Sequence, residues 1–123
     1  MKVGDAASVV RTYAPADLAA FAALCGHDGP LDAVPEPLLA ALFSYLLGVT
    51  LPGPGTNYLK QELTFLAPAP LGEVLTATVA ITRLRPEKHL CDLATTVTSA
   101  DGRTLVTGRA LVLVKDVAKP IEA

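Results

Sequence analysis

The chain has 123 residues, 51% of them hydrophobic and 18% charged, with a formal net charge of −2. That length suits one domain with a single buried core. The near-neutral balance gives no electrostatic footing for nucleic acid or an anionic membrane surface. The start, MKVGDAASVVRTY, carries no apolar stretch after its lysine, so no export signal is read there and a cytoplasmic location is expected. Cys25 and Cys91 form no metal-ligand or redox motif, and both are expected to be reduced, buried and packed as small hydrophobes.

In chain order, residues 8–13 (SVVRTY) are short and β-branched, as an edge strand would be. Pro15 opens a helix whose residues 16–25 place Leu18, Phe21, Ala22 and Cys25 at helical spacing, with Gly26 ending it. Residues 27–33 (HDGPLDA) carry Gly and Pro at their centre without periodicity and read as a loop. Residues 35–48 (PEPLLAALFSYLLG) then form the most distinctive stretch. Pro is tolerated in a first helical turn, Leu and Ala propagate the helix, and Gly48 supplies a stop. An apolar face all round marks a buried helix. It is too short for a bilayer, which needs about 20 apolar residues. Residues 51–56 (LPGPGT) are a rigid connection, neither helix nor central strand.

Four β-type runs follow, 57–66, 73–84, 89–99 and 104–115, with Pro/Gly-rich, charged and Asp-Gly breaks between them. In the second run Leu75, Ala77, Val79 and Ile81 alternate with Thr76, Thr78, Ala80 and Thr82, the period of a half-buried strand. The tail from residue 117 is expected to fray. Four strands in a meander plus one edge strand bury a helix most economically by curling around it. The expected architecture is thus α+β: an antiparallel sheet wrapped around a long central helix, the hot-dog fold, as one domain over residues 1–123. An unpaired sheet edge predicts a homodimer.

From Arg11 to Val114 the chain resembles the MaoC-like, (R)-specific enoyl-CoA hydratases. The most specific part runs from Leu46 to Leu71, where LPGPGT, YL-x-Q-x-L-x-F and P-x-P-L-G stand as that family has them. The resemblance implies a coenzyme A thioester as substrate, no cofactor or metal, and a dimer. The family's signature loop, Ser-Gly-Asp-x-Asn-Pro-x-His, corresponds here to Cys25, Gly26, His27, Asp28, Gly29, Pro30, Leu31 and Asp32. The catalytic aspartate position holds His27 and the catalytic histidine position holds Asp32, so the two chemical types are present but exchanged. The family's segment between this loop and the helix is missing. Its His-Gly at the helix start falls on Pro35 and Glu36, so Glu36 stands where a glycine N–H would hold the thioester carbonyl.

Hydration of a trans-2-enoyl thioester needs a base to activate water and a donor to stabilise the enolate. A carboxylate beside an imidazole suits the first task, and a helix N-terminus the second. The exchanged pair would use His27 as base and Asp32 to orient it, and Pro37, which has no N–H, would leave Glu36 as the donor. Bland readings fit the same residues: His27 and Asp32 as solvated loop or Asx-turn positions, and Ser44 as a hydroxyl bonded back to its own helix. The resemblance instead gives Ser44 a place lining the acyl site. Two functions compete: a hydratase or dehydratase, and a hot-dog protein without that activity that hydrolyses or merely binds acyl-CoA, or serves beside an active partner.

Overall fold

The computed structural model describes residues 1–122. In chain order the elements are β1 (Ala6–Arg11), α1 (Pro15–Cys25), α2 (Glu36–Tyr45), β2 (Asn57–Phe65), β3 (Leu75–Arg85), β4 (Leu90–Ser99) and β5 (Thr104–Leu113). All five strands form one antiparallel sheet in the order β1-β3-β4-β5-β2.

Alternation in β3 and β4 sends Leu75, Ala77, Val79, Ile81, Cys91, Leu93 and Val97 to one face, where they are buried. β5 adds Leu105, Ala110 and Val112. Against this surface α2 lays Leu39, Leu42 and Phe43, followed by Leu46 and Leu47. The expected curled sheet around a central helix is therefore the architecture found.

Several expectations need correction. The meander is three strands, not four: β2 pairs with β5 at the far edge instead of with its sequence neighbour β3. Residues 66–74 must therefore cross the open end of the sheet. Their path is tied down by hydrogen bonds from Leu66 N–H to Leu105 O (2.8 Å), Val34 N–H to Ala69 O (2.9 Å) and Gly72 N–H to Tyr13 O (2.8 Å). Gly48 does not stop the helix. Winding continues as a π-turn over Leu46–Thr50 and ends at Leu51, which is extended (φ −149) before Pro52. A residue preceding proline is pushed out of the helical region, and that is the stop signal that acts.

Nor is α2 covered on every side within one chain. Ala41, Ser44 and Tyr45 are exposed, Tyr45 by 46%. Cys25 is exposed as well, because only Leu18 of α1 reaches the interior; Cys91 is buried as expected. His89 sits outside its strand, in a turn with φ 55. The tail does not fray: Glu122 N–H donates to Met1 O (2.8 Å), and Val117 and Ile121 pack on the core. Ala123 lies outside the described residues.

Candidate active site

A cleft of about 520 Å³ opens where the loop after α1, the first turn of α2 and the crossing segment meet. His27, Asp32 and Glu36 all line it, with Leu39 and Phe65 among its apolar walls and Ala67 and Ala69 from the crossing strand of chain. The sequence-derived candidates from the loop and the helix start are thus brought to one place. Ser44 is not part of this lining; two turns along α2, it faces outward and is exposed.

Local chemistry explains the placement of each. In α1, Pro15 takes a first-turn position and the Asp17 carboxylate accepts the Ala14 N–H at 2.8 Å, fixing the start. At the other end Gly26 adopts φ 74, which glycine enters without steric penalty, and both its N–H and that of His27 donate to Ala22 O. This left-handed termination satisfies the Ala22 carbonyl of the last turn and leads the chain on to His27 at the cleft wall. Gly29, at φ 98, turns the loop again before Pro30 and Leu31. Val34 then docks on Ala69, and Pro35 leads into α2.

At the start of α2 the donors can be counted. Leu38 N–H (3.0 Å) and Leu39 N–H (3.3 Å) both point to Pro35 O, and Pro37 has no N–H. Glu36 keeps the first-turn N–H without a backbone acceptor among the described residues, at the positive end of the helix dipole and beside the cleft. His27 and Asp32 are solvent-exposed, and the ion pairs of the described chain lie elsewhere, on the sheet and its hairpin (Lys60–Glu62, Arg85–Asp92–Arg109, Arg103 with Glu73 and Asp101). Neither residue is therefore locked to the other by a salt bridge. Among the described residues no group of three His, Cys, Asp or Glu is placed to hold a metal ion, and no helix is long and apolar enough to cross a membrane.

A five-stranded antiparallel sheet packed around one central helix, with a cleft at that helix's N-terminus, defines a hot-dog protein, and the solved structures it resembles agree. The chain superposes on the (R)-hydratase of Aeromonas caviae involved in PHA biosynthesis with a TM-score of 0.86, at 38% identity, covering 91% of this chain and 96% of that one. The unliganded R-hydratase of Pseudomonas aeruginosa gives a TM-score of 0.81 at 33% identity, over 92% of this chain and 81% of that one. By sequence, the (R)-specific enoyl-CoA hydratase of Rhodospirillum rubrum is 36% identical, over 93% of this chain and 88% of its relative. No protein-family model matches the chain. On these relationships the chain belongs to the (R)-specific enoyl-CoA hydratase family.

Proposed function

We propose that the protein adds water across the double bond of a trans-2-enoyl-CoA thioester, or runs the reverse dehydration, at the cleft between α1 and α2. The observation that carries this reading is the convergence of His27, Asp32 and Glu36, at the start of α2, on one cleft in a chain of this family. His27 takes a proton from water, whose oxygen attacks the β-carbon. Electron density moves to the thioester oxygen, where the Glu36 N–H and the helix dipole stabilise the enolate. The His27 imidazolium then delivers the proton it took from water to the α-carbon, which restores the base and completes the addition. Water and enoyl thioester account for every atom of the hydroxyacyl product, so the reaction calls on no cofactor. Asp32 serves to orient the imidazole once substrate narrows the cleft.

A homodimer belongs to the same proposal. Tyr45, exposed on the outward face of α2, has the Arg11 guanidinium of β1 over its ring at 5.8 Å, while β2, the opposite edge strand, carries Leu59 at 52% exposure. Pairing the β2 edge with a second copy would satisfy its free backbone groups and cover Leu59. A cytoplasmic location accords with two free cysteines.

The test is incubation with crotonyl-CoA. Hydration removes the conjugated-enoyl absorbance without releasing thiol, and His27→Ala and Asp32→Ala each lower that rate by at least about 100-fold. Free thiol would instead establish hydrolysis. Neither signal would leave only a binding or partner role, and full rates in both variants would remove these side chains from the chemistry.

A further inference from the structure

On the outer face of the sheet, away from α2, a hollow of about 270 Å³ spans β3, β4 and β5, with Thr82, Arg83, Asp92, Ala94 and Arg109 in its lining. Simple alternation would not put Arg83 there. Ile81 is buried on the inner face, and in an unbroken strand residue 83 would follow it inward. A β-bulge at Thr82 shifts the register, so that Ile81 pairs with Leu93 and Arg83 with Asp92. Bulges re-aim side chains in this way, often beside functional sites. Arg83 thereby joins Arg109 on the solvent side, with Arg85 two residues further on.

Asp92 is the one carboxylate in this lining, and both its oxygens are engaged. Arg85 donates to Oδ2 at 2.8 Å, and Arg109 lies 3.5 Å from Oδ1. Arg83 has no ion-pair partner among the described residues, and the Nε of Arg85 is buried without a hydrogen-bond acceptor. The flanking charges cancel: Lys60 is paired with Glu62 at 3.1 Å, and Glu87 and Lys88 in the turn after β3 are one of each sign. Three guanidinium groups therefore share one carboxylate, and two positive charges stay uncompensated in a chain whose net charge is −2.

We propose that this hollow is a second ligand site, which takes the phosphoryl group of inorganic phosphate or a phosphomonoester. Arg83 and Arg109 hold the group, Asp92 keeps Arg109 in place, and Arg85 keeps Asp92 in place. A phosphomonoester carries about −1.5 to −2 at pH 7, which matches the uncompensated charge, whereas a single carboxylate would cancel half of it. The planar fork of a guanidinium also suits two oxygens of one tetrahedral anion. The hollow is smaller than the roughly 300 Å³ at which pockets for whole organic ligands begin, so the phosphoryl head alone enters it. The site is separate from the cleft at α2. Phe65 of the cleft pairs with Val106 and Asp92 with Leu111, five residues further along β5, which is about 17 Å at about 3.4 Å per residue.

Equilibrium dialysis of the purified protein against inorganic phosphate, with ionic strength held constant by sodium chloride, tests the site. The wild type should bind phosphate saturably, one per chain. Arg83→Gln should weaken that binding at least about tenfold, since a charge-assisted hydrogen bond is lost. Arg83 is exposed and unpaired, so this variant should unfold at the wild-type temperature. Ala94→Asp, which keeps every arginine and adds a carboxylate to the lining, should weaken binding as strongly. Competition with adenosine monophosphate then separates the sources. Displacement of phosphate upholds the site as one for the phosphoryl head of a larger molecule, and failure to displace upholds it as one for the free anion. No saturable binding above the chloride control, or an affinity that survives both substitutions, would overturn the proposal.

Discussion

The two helices have nearly the same composition and opposite fates. α1 (PADLAAFAALC) and α2 (EPLLAALFSY) are both short and rich in Ala and Leu. Yet α2 buries Leu39, Leu42 and Phe43 against the sheet, whereas α1 buries Leu18 alone and leaves Leu24 90% exposed. The difference lies in where the large side chains fall. In α2 the Leu and Phe positions recur three and four apart and make one broad face. In α1 five of the eleven positions are alanine, so no face outweighs another, and the helix rests on the molecule through Leu18. One helix holds the fold together, and the other lies on its surface.

That contrast can be broken by stability first. Phe43→Ala should cost about 3–5 kcal/mol in urea unfolding, since a fully buried aromatic is lost into a core that cannot collapse. Equal destabilisation from Leu24→Ala in α1, expected to stay within about 0.5 kcal/mol, would erase the distinction. Association sharpens it next. If the outward face of α2 and the β2 edge meet a second copy, Leu59→Lys should weaken the dimer by at least about tenfold in sedimentation, roughly 1.4 kcal/mol, while changes on α1 leave it intact. An unaltered dimer would move the interface elsewhere.

The cysteines give the mildest probe. Burial pushes the Cys91 thiol from 9.0 up to about 12, with the neighbouring Asp92 charge adding to the effect. A thiol-specific reagent at pH 8 should therefore modify one site per folded chain, at Cys25, and the second only after unfolding. The linked stability effect has a definite sign. Between pH 9.0 and about 12 the unfolded thiol ionises and the folded one does not, so stability falls as pH rises through that window. Rapid double labelling of the native protein would show that the core around Phe43 is looser than its packing implies.

Much of this was legible in the sequence, for identifiable reasons. The period-2 alternation of β3 and the Asp-Gly hairpin before β5 are local signals, and both elements formed where the pattern put them. The loop residues His27 and Asp32 and the helix-start Glu36 came together because Gly26, Gly29 and the prolines dictate that path. What failed was non-local. The pairing of β2 with β5 depends on which edge is free, which no short window encodes. The exposure of Cys25 and of the outer face of α2 depends on how far one sheet can wrap. The crossing segment, which supplies Ala67 and Ala69 to the cleft, reads in the sequence as a break between strands and as part of the family-like block, and neither reading places it at the site. Its run of alternating Ala and Pro, too rigid for a casual turn, was the signal available.

The far-edge position of β2 also fixes the order in which the molecule can be completed. Asn57 pairs with Leu113 and Phe65 with Val106, between a third and nearly half of the chain away, and such distant pairings are slow to close. Until β5 is synthesised, β2 has no neighbour and Leu66 has no Leu105 carbonyl to receive its N–H. The start of the wall carrying Ala67 and Ala69 is therefore fixed only once β5 is in place. A nascent chain can own its histidine, its aspartate and its central helix and still have nowhere to put a substrate.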